Sequence, residues 1–282
     1  MNFVVFDKQT KGDRQVIDIH NHTLFGVDDG PETIEESIEM LSQAKRQGVD
    51  AVIFTPHYRH GMFAYPKDRI TDHFEQLQNV AEDLGVMIYL GCEYHVDSYM
   101  VEAFQNEKCF PLADGDYVLT EYSHDTEYSY IVQNTQKLIH CGYMPVIAHA
   151  ERYRCFFSAP KRCGEIQNMG AFIQLNADDV LGKAGWKMAH FCKKVLKNEW
   201  ADLIASDAHG VTERASHLGE CRALILKKYG HEYADRLFYE NAKKIIEHKT
   251  RELKAAASPE LDIRGMAADE AMPVLDQFLD SA

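Results

Sequence analysis

No stretch of the 282-residue sequence holds the roughly 18 consecutive apolar residues that a membrane-spanning helix needs. Residues 1–14 lack a long apolar core followed by a small-residue cleavage site, so they do not read as a secretory signal. The seven cysteines are odd in number and form no C-x-x-C pair, which excludes a disulfide framework and points to a reducing cytoplasm. Positive charge is also scarce. Lys and Arg number 30 against 44 Asp and Glu, and the formal charge of −14 disfavours wide contact with nucleic-acid backbones. There is no internal repeat. At 45% hydrophobic, the length suits one large globular domain or two small ones with a sizeable core.

What is present is a regular alternation. Short apolar runs at residues 16–19, 51–55, 86–92, 117–120, 145–148, 171–175 and 202–206 read as seven strands, with a further strand at residues 2–6. Helical spacing fills residues 32–47, 66–84, 126–141, 160–169, 186–198, 213–229 and 232–248. In the first of these, acidic residues come early and Lys45-Arg46 late, matching the helix dipole, and Gly48 follows. Strands alternating with helices predict a parallel sheet, and this count and length favour a closed barrel. Residues 1–15 read as an extension. The segment 250–282 reads as a tail with a short amphipathic helix at 273–279, the main domain spanning 16–249.

In barrel enzymes the chemistry lies at the carboxyl ends of the strands. Those ends carry His20 and His22, His57, Glu93, Glu121, His149, and Asp207 with His209, while Asp29 lies in the loop after the first strand. Residues two apart on an extended chain face the same way, so His20 and His22 converge. Taken singly, each residue reads equally well as a solvated strand end or a turn residue. Together they make nine nitrogen or oxygen ligands at one mouth, too many for one ion and suited to two or three sharing a bridging carboxylate. Imidazole and carboxylate without thiolate suit Mn, Fe or Zn. Arg152 and Arg214 follow two of these strand ends. Their guanidinium forks match phosphate geometry, the competing reading being surface salt bridges. His60, His73, His95, His124, His140, His190, His217, His231 and His248 fall on expected helices or loops and receive no role.

The ordered motifs Asp18-Ile19-His20-x-His22, Gly26-Val27-Asp28-Asp29-Gly30-Pro31, Thr55-Pro56-His57, Gly91-x-Glu93, Ala148-His149-x-Glu151-Arg152-Tyr153 and Ala205-Ser206-Asp207-x-His209 resemble the polymerase and histidinol phosphatase (PHP) superfamily. Within it they are similar to the bacterial manganese-dependent protein-tyrosine phosphatases of capsule and exopolysaccharide operons, the CpsB/CapC/YwqE type. Gly61-Met62-Phe63 also points to that branch, and the resemblance runs from about Val16 to His248. It departs at Ala150, where many relatives have Pro, and at Gly210, where Asn is frequent.

The resemblance implies a distorted (β/α)7 barrel of the TIM-like PHP kind with a trinuclear centre, Mn2+ being the expected ion. One ion would be held by His20, His22, Glu93 and Asp207. A second would take Glu93 as a bridge with Glu121 and His149, and a third Asp29, His57 and His209. Arg152 and Arg214 match the family's phosphate-binding arginines, with Asp207 counted beside them as catalytic. The substrate implied is the tyrosine-rich tail of a membrane-associated bacterial tyrosine autokinase controlling polysaccharide export. The chain itself would be cytoplasmic, uninserted in the membrane and not bound to nucleic acid. None of the seven cysteines has Arg six residues on, so the Cys-x5-Arg chemistry of thiol phosphatases is excluded. Alternatives are a histidinol-phosphate-like phosphatase on the same barrel, a nuclease, and a metal-bound module without turnover.

Overall fold

The structure, a computed structural model, describes residues 15–247. The expected strand at residues 2–6, the rest of the extension to residue 14 and the tail at 250–282 lie outside the described residues. Seven apolar runs become seven strand positions, two of them broken. The strands are β1 (Val16–Asn21), β2 (Val49–Phe54), β3 (His57–Tyr58), β4 (Met87–Leu90), β5 (Glu93–His95), β6 (Tyr117–Glu121), β7 (Met144–Ile147), β8 (Phe172–Asn176) and β9 (Leu203–Ala205).

Every pairing between these strands is parallel. One sheet runs β1-β2-β4 and the other β3-β5-β6-β7-β8-β9. The two are continuous. β2 leads into β3 across Thr55-Pro56, because Pro56 has no N–H to give to a ladder. β4 leads into β5 across Gly91-Cys92. Hydrogen bonds from Gly91 N to Phe54 O and from Glu93 N to Pro56 O carry the pairing over both breaks. At the far edge Asn21 bridges Ala208, Asp207 N donates to His20 O at 2.9 Å and His22 N to Ala208 O at 2.8 Å, which closes β9 onto β1. The result is the expected α/β barrel of seven parallel positions.

The outer helices are α1 (Ile34–Arg46), α2 (Lys67–Leu84), α3 (Met100–Gln105), α4 (Tyr128–His140), α5 (Arg154–Ser158), α6 (Lys161–Asn168), α7 (Ala177–Leu181), α8 (Trp186–Lys197), α9 (Leu218–Tyr229), α10 (His231–Asp235) and α11 (Asn241–Glu247), with a π-turn at Arg236–Glu240 between the last two. Thr33 and Glu36 form a capping box at the start of α1, and Met40, Leu41 and Ala44 bury its inner face. Two expectations need correction. The helix expected from residue 213 begins at Leu218, because Arg214 sits at a φ of 54°, which no helix admits. The helix expected at 232–248 is present as one run from His231 to Glu247, with the π-turn inside it. His95, placed on a helix or loop, ends β5.

Strand side chains divide between two cores. Ile17, Ile19, Ala51, Ile53, Leu119, Val146, Ala148, Leu203 and Ala205 form a cluster with Ala242 and Ile245 of α11. The larger cluster, between strands and helices, includes Val52, Phe54, Val118, Ile147, Ile173, Leu175 and Ile204. Burial on both sides explains the near-continuous apolar runs. No helix among the described residues is long and apolar enough to cross a membrane.

Candidate metal centre

The carboxyl ends of the strands bring all nine candidate ligands to one place, with Glu93 at its middle. Glu93 Oε2 lies 2.9 Å from His57 Nδ1, 3.2 Å from His22 Nε2 and 3.3 Å from His20 Nε2, and Oε1 lies 2.9 Å from His149 Nε2. Asp207 Oδ1 is 3.4 Å from His20 Nε2. On the outer side Asp29 Oδ1 lies 3.3 Å from His57 Nε2 and 3.4 Å from His209 Nε2. Glu121 makes the longest of these contacts, its Oε1 3.9 Å from His149 Nε2. The register of β1 against β2 shifts between Asp18 and Asn21, and beyond it His20 and His22 aim their Nε2 atoms at one another, 3.3 Å apart.

The other ring nitrogens fix the tautomers. Gln174 Oε1 accepts from His149 N–H at 2.9 Å, so it must also accept, not donate, at 3.1 Å from His20 Nδ1. His22 Nδ1–H donates to Asp28 Oδ2 at 2.7 Å, and His209 Nδ1–H to the Asp207 carbonyl at 2.9 Å. In the neutral form of each ring, the form that binds metal, Nε2 therefore carries its lone pair into the cluster. The His20 and His22 Nε2 atoms, 3.3 Å apart in rings with no solvent exposure, need a proton or a metal cation between them. His209 Nε2 and Glu93 Oε2 are likewise enclosed without a hydrogen-bond partner. This donor set fits divalent metal: imidazole nitrogens oriented by their second N–H, and carboxylates, with no thiolate.

Three of these residues sit in strained backbone. His149 (φ 31°), Asp207 (φ 53°) and Arg214 (φ 54°) occupy the left-handed region that non-glycine residues rarely adopt. Gly30 carries a different constraint, since a Cβ there would stand 2.1 Å from the His22 carbonyl oxygen. That close approach lets Asp28 reach back to His22, to Gly30 N and to His57 N.

Charge is concentrated here. Burial works against the charged form of His20, but Glu93 and Asp207 outweigh it and hold its pKa up at about 9. His57 is pushed up to about 11, with Glu93 and Asp29 overcoming its burial. Burial and the charge of Glu93 raise Glu121 to about 7. Burial and neighbouring His22 bring His209 down to about 4. Asp207 stays well below the usual carboxylate range, because His20 and Arg152 override its burial.

The two arginines flank the cluster. Arg152 Nη1 is 3.0 Å from Asp207 Oδ2, and its Nε is 3.7 Å from Asp179. Arg214 Nη1 is 3.1 Å from Asp29 Oδ2, and its Nη2 is 3.7 Å from Asp207 Oδ1. Both guanidinium groups keep solvent access beside the same carboxylates. All seven cysteines are unpaired. Six are buried and Cys141 is half-buried, and burial holds Cys92, Cys155, Cys163, Cys192 and Cys221 in the thiol form.

Sequence reasoning missed the residues behind the ligands. β8 supplies no ligand, yet its Gln174 holds His20 and His149, and Gln174 Nε2 donates at 2.8 Å to Asn176, which in turn holds Asp207 at 2.8 Å. The signal was there: Gln174 and Asn176 are polar, two apart and at the end of an otherwise apolar strand. Asp28, Tyr153 (3.3 Å from His149 Nδ1) and Asp18, which fixes Ser206 at 2.6 Å, were also given no role.

Three groups of ligand atoms lie within 4.8 Å of one another among the described residues: His22, Asp29, His57 and His209; His20, His22 and Asp207; and His57, Glu93 and Glu121. His22 and His57 thus each stand in two groups, where the resemblance gives each histidine one ion.

The family described as capsular polysaccharide synthesis, CpsB/CapC, matches residues 16–247. The chain is 34% identical over 238 residues to tyrosine-protein phosphatase CpsB of Streptococcus pneumoniae, covering 82% of this chain and 98% of that one. It superposes with a TM-score of 0.75, at 30% identity, on a chain from the crystal structures of YwqE of Bacillus subtilis and CpsB of Streptococcus pneumoniae, described as metal-dependent tyrosine phosphatases. The match covers 82% of this chain and 94% of that one. An organophosphorus hydrolase from Deinococcus radiodurans, 14% identical, superposes at 0.56 over 82% of this chain and 92% of its own, which supports the barrel fold alone.

Proposed function

Because the chain belongs to the CpsB/CapC capsular polysaccharide synthesis family, we propose that it is a metal-dependent protein-tyrosine phosphatase. The observation that carries this reading is the convergence of the His20, His22, His57 and His149 rings on Glu93 and of His57 and His209 on Asp29, with two arginines beside them. We assign His20, His22, Asp29, His57, Glu93, Glu121, His149, Asp207 and His209 as the ligands of two or three ions, Mn2+ being the ion of choice and Fe or Zn also suited to the donors. When bound, such cations polarise a phosphoryl group and lower the pKa of water at neutral pH.

The chain's own residues do the rest. Arg152 and Arg214 bind the equatorial oxygens of the phosphoryl group, where charge accumulates as the ester bond breaks. Asp207 joins the two arginines by touching both, which fixes their separation. The leaving tyrosyl oxygen is a phenolate of pKa about 10 and needs less protonation than an alkoxide. The buried thiols take no part.

The substrate is proposed to be the phosphorylated tyrosine-rich tail of a membrane-associated bacterial tyrosine kinase that controls capsule or exopolysaccharide synthesis. The family description and the relatives' names support this. The net charge of −14 supports a protein partner over nucleic acid, and seven unpaired cysteines support a cytoplasmic setting. The catalytic domain is assigned to residues 16–249. The test compares phosphate release from a phosphotyrosine peptide, a phosphoserine peptide and histidinol phosphate, with a thiol-alkylating agent in a parallel series. Preference for the phosphotyrosine peptide, insensitive to alkylation, is expected. Preference for histidinol phosphate would transfer the site to small-molecule chemistry.

A further inference from the structure

β3 ends in a tight turn. Arg59 N donates to Phe63 O and Phe63 N to Arg59 O, each at 2.9 Å, making an isolated antiparallel bridge. Gly61 sits in this turn with a φ of +77°, a backbone that glycine adopts freely. The turn is anchored on both sides. The Tyr58 ring meets buried Tyr94 edge-on at 4.8 Å, and buried Tyr65 donates its hydroxyl to Gly91 O at 2.8 Å. Directly opposed residues of an antiparallel pair project to one face. On that face the Phe63 ring stacks on His57, with centroids 4.9 Å apart and planes at 21°. Phe63 is only half-buried, and Met62 at the tip of the turn is 62% exposed.

The chemistry of the mouth makes this ring stand out. The candidate ligands and the two arginines offer a phosphoester only charge and hydrogen bonds. Among the described residues one other aromatic side chain, Tyr153, lies against a candidate ligand, His149, but it is fully buried and out of a substrate's reach. An aryl phosphate places its ring one ester oxygen from phosphorus, so the ring must leave the centre along the wall beside it. An alkyl phosphate presents nothing there that an aromatic surface would favour.

We propose that Phe63 is the specificity-determining residue for aryl phosphates, its ring forming the wall against which the phosphotyrosyl ring packs. This rests on the tyrosine-phosphatase reading and adds a residue to it. The competing role is structural: Phe63 would only hold His57 in place.

The test measures competition by phenylphosphonate and by inorganic phosphate against phosphotyrosine-peptide turnover, in the wild type, Phe63→Leu and Phe63→Tyr, with bound metal counted in each. In Phe63→Leu, inhibition by phenylphosphonate is expected to weaken about tenfold while that by inorganic phosphate stays within about twofold. Phe63→Tyr, which keeps the ring, is expected to match the wild type for both. If both inhibitors weaken together, or metal is lost, Phe63 acts through His57 and the proposal is wrong. If neither weakens, it is wrong as well. A wild type that binds phosphate but does not turn over the phosphotyrosine peptide would instead overturn the functional reading, and this proposal with it.

Discussion

Gln174 Oε1 accepts two hydrogen bonds, one from His149 N–H and one from His20 Nδ1–H, and so orients a candidate ligand on each side of Glu93. Outer partners of metal-binding histidines commonly set affinity by 10- to 100-fold. Gln174→Ala is therefore expected to weaken Mn2+ binding by about that factor, read by metal titration of the metal-free protein. An unchanged affinity would mean that the hydrogen bond does not tune the ring. Arg152 and Arg214 belong to a different class of residue. Arg152→Ala and Arg214→Ala are each expected to lower kcat by about 100- to 1000-fold, the usual loss for a donor to a charged transition state, with the metal still bound. Metal lost from either variant would mark that arginine as structural. That the nine candidate ligands and the two arginines would gather at one mouth was legible, because they lie at or beyond the ends of apolar runs, and in a parallel barrel such positions share one face. Gln174, Asn176 and Asp28 were not, because a polar residue within or beside a strand does not announce its partner, which arrives from another strand.

At the scale of elements, the loop between β1 and α1 carries both aspartates and is held by the approach of Gly30 to His22. A methyl group at residue 30 would collide with the His22 backbone, not with a side chain that could swing away. Gly30→Ala is expected to lower the melting temperature, and to weaken metal binding because Asp28 and Asp29 move with the loop. A variant with wild-type stability and affinity would show that the loop relaxes at no cost. Long helices were readable from their periodicity, α1, α2, α4 and α8 falling within two residues of expectation. α3, α5 and α7 were not foreseen, because five or six residues hold too few turns for an apolar stripe to repeat. The late start of α9 escaped notice for another reason. The positive φ of Arg214 that delays it belongs to the site and leaves no mark in composition.

For the whole molecule, the centre gathers charges that metal must reorganise. His20, at about 9, and His57, at about 11, are protonated at pH 7 in the metal-free protein, and a ligand ring must be neutral. Protons therefore compete with metal. Affinity is expected to rise as pH increases from 7 to 9 and to fall below 7, with proton release on Mn2+ binding at pH 7. Calorimetry in buffers of different ionisation enthalpy measures that release, and binding without it would place the metal elsewhere. Barrel closure was legible from the count of strands. The resumption of the second strand as β3 beyond Pro56 and the break at Gly91-Cys92 were not foreseen, although Pro56 lacks the ladder donor and Gly91 packs close to Leu112. Hydrolysis would depend on metal held by the residues around Glu93. The most direct measurement strips the protein with chelator and adds Mn2+ stepwise, counting bound ions and phosphate released from a phosphotyrosine peptide on one sample. The account expects no turnover when stripped, and recovery that tracks binding of two or three ions. Full turnover by the metal-free protein would contradict it.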